Sequence, residues 1–371
     1  MERRTFLKTA GAGAGAGLAA GTVAAPAIAQ GAPEIKWRMA SSLPKSLDTA
    51  FGTAEVIARR VAAATGGKFQ IQVFAAGEIV PGPGVVDAVK DGTVPVGHSV
   101  GYYFVGKDPT FAFDTGLPFG LNARQHTGWL YEGGGMSLLR EFFKDYNIHN
   151  IPCGNTGAQM GGWYRKEIKT VEDLKGLKFR IGGIAGMVLQ KLGVVPQQIP
   201  PGEIYPALEK GAIDAVEFIG PYDDEKLGFN KVAKYYYYPA WWEGGAQQSL
   251  YINTSEWAKL PKEYQVILED ACAFAHHDML AKYDVKNPVA MKRLIAAGTQ
   301  LRPFPAEVMQ ACYKACMETY EEIAAKNPKF QKILEAYLKY RDDVVSWHSV
   351  AEDRFDSFVA GVVRGERQAK K

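Results

Sequence analysis

An excess of charge of one sign is missing from this chain: 43 Lys and Arg stand against 40 Asp and Glu in 371 residues, a formal net charge of +3. Leaving out residues 1–29 brings the balance to 40 against 39. A surface so evenly charged offers no footprint for a polyanion, which argues against nucleic acid as a partner. Cysteine is scarce, with 4 in the whole chain. Cys312 and Cys316 lie one helical turn apart, Cys153 sits in a strand-like run and Cys272 in a helical one. Buried free thiols are the expectation, a link from Cys272 to the C-terminal pair being the open alternative. No His-Glu-x-x-His occurs, the cysteines lack zinc spacing, and His276 and His277 point to different helix faces, so a transition-metal site is not expected. Beyond the N-terminus no uncharged run reaches membrane-spanning length.

What the N-terminus does have is a basic start, Arg3-Arg4-Thr5-Phe6-Leu7-Lys8, a Gly/Ala stretch to Ala25 and the small-residue end Ala27-Ile28-Ala29. This reads as a twin-arginine export signal over residues 1–29, leaving a mature protein that starts at Gln30 in the periplasm.

From Glu34 onward, strand and helix patterns alternate: strand Ile35 to Ala40, helix Phe51 to Ala64, and strand Phe69 to Phe74 after Gly66-Gly67. Such alternation specifies an α/β sheet. One unit occurs twice. Val85 to His98 runs as a short helix, a glycine stop at Gly92 and a strand; Ile204 to Glu217 repeats it, with Gly211 for Gly92 and Ile213 for Val94. Two similar lobes follow, with the strand ends His98/Ser99 and Glu217/Phe218 facing one cleft, because ligands sit beyond the carboxyl ends of strands in open α/β sheets. Lobe I is assigned to 30–152, completed by part of 250–305, and lobe II to 153–249. Residues 250–371 are read as crossover strands and helices with a C-terminal helical wrap. Apolar positions Val266, Leu268, Ala271, Phe274 and Ala275, and later Ile333, Leu334, Tyr337 and Leu338, suit either that wrap or a partner contact.

Arg180, at the end of the strand Leu177 to Ile181, has the guanidinium that binds a carboxylate bidentately; the alternative is a surface ion pair. Glu217 is a lone carboxylate in an apolar strand and requires a partner, either Arg180 or a cation. Asn155 and Gln159 are neutral oxygen donors suited to a hydroxyl, a carbonyl or a hard metal ion. Tyr102, Tyr103 and Trp242, close to strand ends, are candidates for pocket walls. Gly97-His98-Ser99-Val100-Gly101 matches the Gly-x-Ser-x-Gly elbow of serine hydrolases. Gly106 and Pro109 then stand where a helix should follow, which leaves hydrolysis at Ser99 a distant alternative.

The segments Trp37-Arg38-Met39-Ala40, Thr65-Gly66-Gly67-Lys68-Phe69, Asp173 to Arg180 and Leu208 to Ala215 together resemble the extracytoplasmic solute-binding proteins of tripartite ATP-independent periplasmic (TRAP) transporters. The resemblance implies a two-lobe periplasmic binding protein fold of the α/β class, with a hinge and long connecting and C-terminal helices. It also implies delivery of an organic acid to TRAP permease membrane subunits, no catalysis, and Arg180 as the carboxylate-binding residue. The further likeness is to the subgroup binding 2-oxo or 2-hydroxy monocarboxylates, such as pyruvate, 2-oxobutyrate or lactate, with a Na⁺ or Ca²⁺ ion bridging Glu217 to the ligand. Gln159, Glu217, the Phe218 carbonyl and Gln248 are the expected metal ligands, with Gln247 in place of Gln248 if the register shifts by one. A metal-independent site for a dicarboxylate or sugar acid is the alternative within the family. Some members pair through a long terminal helix, and the tail from Pro328 to Gly361 would permit a homodimer.

Overall fold

The computed structural model describes residues 33–369; the export signal expected over 1–29 lies outside them. In chain order the first unit is β1 (Ile35–Ser41), α1 (Gly52–Ala64), β2 (Phe69–Phe74), α2 (Val85–Lys90) and β3 (Val96–Ser99). Helices α3 (Ala123–Tyr131) and α4 (Gly135–Phe143) lead to β4 (Ile148–Asn155). The second unit is β5 (Trp163–Tyr164), β6 (Lys178–Arg180), α5 (Gly183–Lys191), β7 (Val195–Gln197), α6 (Pro201–Glu209), β8 (Ala215–Val216), α7 (Pro221–Leu227) and β9 (Tyr235–Tyr238). The chain then returns through β10 (Gln247–Asn253), α8 (Thr254–Lys259), α9 (Lys262–Ala296), β11 (Gln300–Pro303), α10 (Ala306–Ala324), α11 (Pro328–Val350) and α12 (Glu352–Ala369).

The two sheets repeat one topology. The first runs β2-β1-β3-β10-β4, and the second runs β7-β6-β8-β5-β9 with β11 added at its edge. In each, three parallel strands are followed by an antiparallel strand arriving from the other lobe and then by the strand that leaves for it. The doubled unit ends its helix the same way both times, at Gly92 with φ +73° and Gly211 with φ +75°. A side chain at either position would be forced into the left-handed region, which only glycine enters freely.

The expected boundaries at 152/153 and 249/250 both fall inside strands, because β4 stays paired with β10 as far as Asn155↔Gln247. The lobes are therefore joined by two short crossovers, residues 156–162 and 239–246, which run side by side. Thr156 N donates to Ala246 O at 3.1 Å, and Ala240 N donates to Gln159 O at 3.2 Å.

α9 spans both lobes. Its buried face is Tyr264, Leu268, Ala271, Cys272, Ala275 and Met279, at helical spacing. Val266 and Phe274, expected on that stripe, are exposed instead, since they project from the opposite side; Arg60 covers the Phe274 ring at 3.7 Å. On α11, Phe330, Ile333 and Tyr337 are buried against the Phe113 and Trp129 region of lobe I. The Tyr337 hydroxyl accepts from Leu121 N at 2.8 Å. All four cysteines are free and buried, with Cys272 packed in a different cluster from Cys312 and Cys316. Among the described residues no helix is long and apolar enough to cross a membrane.

Beside α9 the lobes are clamped by Asp48, on the segment after β1. Its carboxylate accepts from the Tyr222 hydroxyl at 2.9 Å, from Lys286 Nζ at 3.1 Å and from Lys226, the first and last belonging to α7 of lobe II. Partial burial opposes its ionisation, but these hydrogen bonds prevail and hold the Asp48 pKa at about 2. The clamp therefore contributes stability above pH ~4, and that contribution is lost as pH falls through about 2. Asp48→Asn is expected to cost ~1 kcal/mol or less at pH 7 after solvent screening. The difference from the parent should vanish in denaturation curves run below pH ~2; a difference that persists there would mean that packing, not charge, carries it.

Candidate functional site

The matched strand ends meet at the crossovers, and the polar groups there are buried. Arg180, last residue of β6, is 2% exposed, and Glu217, just past β8, is 3% exposed. The parallel pairing of β6 and β8 places them side by side, with Arg180 opposite Val216. Arg180 Nη1 donates to the Glu217 carboxylate and, at 2.8 Å, to the Glu217 carbonyl; Nε donates to Ile199 O at 3.2 Å. The Phe218 ring lies 5.5 Å from the guanidinium carbon. A surface ion pair for Arg180 is thereby excluded.

The two crossovers supply the rest. Gln159, on the first, has Nε2 donating to Thr156 Oγ1 at 3.3 Å, while its Oε1 is buried without a partner. Glu243, on the second, has its carbonyl accepting from Gln159 N at 3.4 Å and its Oε2 buried without a partner. Glu217 and Glu243, together with Tyr102, Ile181, Gly183 and Trp242, line a cavity of about 20 Å³, room for about one water molecule. Tyr102 and Tyr103 meet edge to face at 4.9 Å. Asn155 is also buried at the start of the crossover, its Oδ1 held by Gly157 N at 2.9 Å and its Nδ2 unpartnered.

Two carboxylates share this enclosure with one guanidinium. Burial pushes Glu217 up to about 7 despite the pull of Arg180. Burial and then the charge of Glu217 push Glu243 well above the ordinary carboxylate range. The enclosure thus has more acceptors than donors beside one cationic anchor, with Glu243 Oε2 unsatisfied, and a second unsatisfied oxygen, Gln159 Oε1, belongs to the residue whose backbone is bonded to Glu243. That donor set fits a hard cation, which takes several oxygen ligands. Among the described residues no group of three or more His, Cys, Asp or Glu stands together in a way that could hold a metal ion, so a cation here would depend on amide and carbonyl oxygens as well.

Gln248 is not part of this group. In β10 it stands opposite Gly154, and its Oε1 lies 3.0 Å from His98 Nε2. Gln247 is engaged too, donating to Asp114 O at 2.9 Å. The strand register turns both amides into lobe I, and the residue that reaches the cavity is Glu243, an acidic side chain in the aromatic run Trp241-Trp242-Glu243. An isolated carboxylate among large apolar residues, the signal that singled out Glu217, was equally present there. Ser99 has no base: its Oγ lies 2.6 Å from Ser42 Oγ, His98 Nδ1 faces Ser41 Oγ at 3.1 Å, and the segment that follows is a single 3₁₀ turn, Gly101–Phe104.

Comparison with known proteins agrees with this architecture. Residues 39–327 match the family of bacterial extracellular solute-binding proteins, family 7. The monocarboxylate 2-oxoacid-binding periplasmic protein of Nostoc sp. is 50% identical over 330 residues, covering 89% of this chain and 90% of that one. A TRAP transporter solute-binding protein of Bordetella bronchiseptica, a dimer with calcium and picolinate in one site, is 54% identical. It superposes with a TM-score of 0.88 over 90% of this chain and 99% of its own. A TRAP periplasmic solute-binding protein of Pseudoalteromonas atlantica with bound sodium and pyruvate is 39% identical, with a TM-score of 0.85 over 87% of this chain and 99% of its own. The chain therefore belongs to bacterial extracellular solute-binding protein family 7, as a two-lobe solute receptor of the TRAP transporter type.

Proposed function

We propose that this receptor binds a small 2-oxo or 2-hydroxy monocarboxylate, of the pyruvate, 2-oxobutyrate or lactate kind, together with Na⁺ or Ca²⁺. The observation that carries the reading is the pair of unsatisfied buried oxygens, Gln159 Oε1 and Glu243 Oε2, beside the Arg180–Glu217 pair. Arg180 Nη1 is engaged by the Glu217 carboxylate. An incoming carboxylate takes over the guanidinium as a charge-assisted pair and releases the Glu217 side chain toward Gln159 and Glu243. Gln159, Glu217, Glu243 and the Phe218 carbonyl would hold the cation, which supplies positive charge for the ligand's 2-oxo or 2-hydroxyl oxygen. Tyr102, Tyr103, Trp242 and Asn155 bound the acid's remaining surface and exclude water.

The chain is read as a binding protein rather than a hydrolase: the Ser99 hydroxyl is hydrogen-bonded to the Ser42 hydroxyl. The basic start at Arg3-Arg4 supports twin-arginine export to the periplasm, where the loaded receptor meets the TRAP permease membrane subunits. α12 has no buried residue and presents Phe355, Phe358, Val359 and Val362 to solvent. A face of that kind supports pairing of two chains through their C-terminal helices.

The test is calorimetric titration of refolded, ligand-stripped protein with pyruvate, 2-oxobutyrate, lactate, succinate and a sugar acid, each with Na⁺, with Ca²⁺ and with neither. Cation-dependent binding of the 2-oxo acids is expected; cation-independent binding of succinate or the sugar acid would replace the metal reading with a dicarboxylate or sugar-acid site. Arg180→Ala should weaken pyruvate by at least about a hundredfold, since it leaves buried anions unpaired. In the same titrations Glu243→Gln should lose most of the cation dependence, whereas Gln248→Ala should keep it, and the reverse pattern would restore Gln248 as the ligand. Truncation after Val350 should leave pyruvate binding intact and give the monomer mass by light scattering, with the full chain as a dimer; equal masses would remove the helix pairing.

A further inference from the structure

We propose that Asp224 is a positioning residue of the cation site: it acts through the backbone, fixing the corner from which the Glu217 carboxylate and the Phe218 carbonyl reach the cation. This rests on the reading of the site above. The corner, residues 217–220, joins the end of β8 to α7 and belongs to no strand or helix, so no regular ladder sets its shape. One end is held by Arg180: Glu217 N donates to Arg180 O at 3.1 Å, and Arg180 Nη1 donates to the Glu217 carbonyl at 2.8 Å. The other end is held by Asp224, whose Oδ1 accepts from Ile219 N at 3.3 Å. Ile219 O accepts in turn from Met160 N at 3.1 Å, next to Gln159 on the first crossover. Phe218 is thus fixed from both sides, and the corner is tied to the segment that carries Gln159.

Asp224 is itself held rigidly. Its carboxylate is buried, and Oδ2 accepts from Trp163 Nε1 at 3.0 Å and from the Tyr236 hydroxyl at 2.7 Å. Trp163 of β5 and Tyr236 of β9 are paired in register, and their rings stack with centroids 3.9 Å apart. Three donors converge on two oxygens, a set that an ionised carboxylate satisfies in full. An amide has one acceptor oxygen, and its NH₂ would face either Ile219 N–H or the Trp163 and Tyr236 donors. Burial works against the ionised form and the hydrogen bonds from Tyr236, Trp163 and Ile219 work for it, which leaves Asp224 at about 7.

Lobe I has a buried carboxylate in the matching place. Asp114, in the segment after β3, accepts from the Tyr251 hydroxyl of β10 at 2.7 Å and from Asn150 Nδ2 of β4 at 3.0 Å. Counted from β2, β10 and β4 are the fourth and fifth strands of the first sheet; counted from β7, β5 and β9 are the fourth and fifth of the second. Each lobe therefore pins the segment after its third parallel strand to the two strands beyond it, by one buried aspartate. In lobe I the pinned segment is continuous with Thr115, whose Oγ1 accepts from Gly101 N at 2.6 Å beside Tyr102; in lobe II it is the corner with the oxygen donors. Asp223, next to Asp224 and equally buried, serves a different contact: its Oδ2 accepts from the Tyr283 hydroxyl of α9 at 2.6 Å.

The experiment measures Na⁺ and Ca²⁺ affinity by calorimetry with pyruvate saturating, at a pH above 7 so that Asp224 is the carboxylate, on the parent, Asp224→Asn and Asp223→Asn. Asp224→Asn should weaken the cation about tenfold to a hundredfold, as does loss of a group that orients a metal ligand. Asp223→Asn, which also removes a buried carboxylate from α7, should stay close to the parent. Equal losses in both variants would follow from destabilisation alone and overturn the positioning role, as would an unchanged Asp224→Asn. Tyr236→Phe and Tyr283→Phe repeat the comparison where a carboxylate variant does not fold: the first removes a donor to Asp224 and should weaken the cation, the second removes the donor to Asp223 and should not. Hydrogen exchange gives a direct reading, since the Ile219 amide should exchange slowly in the ligand-free parent and faster in Tyr236→Phe; an Ile219 amide as fast as those of exposed loops overturns the proposal. A parent that binds pyruvate without any cation dependence removes the cation site and the positioning role together, whereas a cation-dependent parent with indifferent variants removes the role of Asp224 and leaves the site standing.

Discussion

The buried pair of Arg180 and Glu217 is the constraint around which the cleft is organised. Removing either charge from water is costly, and their attraction offsets that cost only with the surrounding hydrogen bonds in place. Those bonds come from backbone that the fold holds fixed: the Ile199 and Glu217 carbonyls lie at strand ends in the same sheet. Glu243 makes the arrangement incomplete, because burial favours its neutral carboxyl form while its Oε2 is left without a partner. A site satisfied on its own terms would have no reason to take a ligand. This one is left with acceptors to spare, and an acid arriving with a cation corrects that imbalance better than an acid alone.

The fold brings these groups together by using one arrangement twice. Each lobe ends its third parallel strand at the cleft, and each sends one strand out and receives one back, so two crossovers pass through the space between the strand ends. Gln159 is on one crossover and Glu243 on the other, with their backbones hydrogen-bonded at 3.4 Å. The two crossovers thus carry both of the unsatisfied oxygens, Gln159 Oε1 and Glu243 Oε2. In a two-lobe receptor, a ligand with more contacts in a closed arrangement shifts the population toward it by its differential affinity.

Much of this was legible along the chain, where the determinants are local. The repeated helix, glycine stop and strand is visible because Gly92 and Gly211 are each required by a left-handed φ. Arg180 and Glu217 stand out because an ionisable side chain in an apolar strand must have a partner wherever the strand is placed. Choosing between Glu243 and Gln248 depended on where β10 begins and on its register against β4, including a bulge between Gln248 and Ser249. Register of that kind is set by a strand nearly a hundred residues distant in sequence. Of the two readings open for Val266 and Phe274, burial within the chain does not hold: α9 lies across two lobes, and its buried stripe follows the surfaces beneath it.

The way the lobes are joined also explains why the cleft contains two spaces of such different character. At the crossovers, where the lobes are joined covalently and by backbone hydrogen bonds, the side chains collapse on one another and leave about 20 Å³. Farther out, the facing surfaces are prolines, glycines and short side chains at the turns after β1 and β2 and before α6, which are too rigid and too small to fill the gap. The inner space is therefore bounded by carboxyl and aromatic groups, while the outer one is bounded mostly by apolar and small side chains.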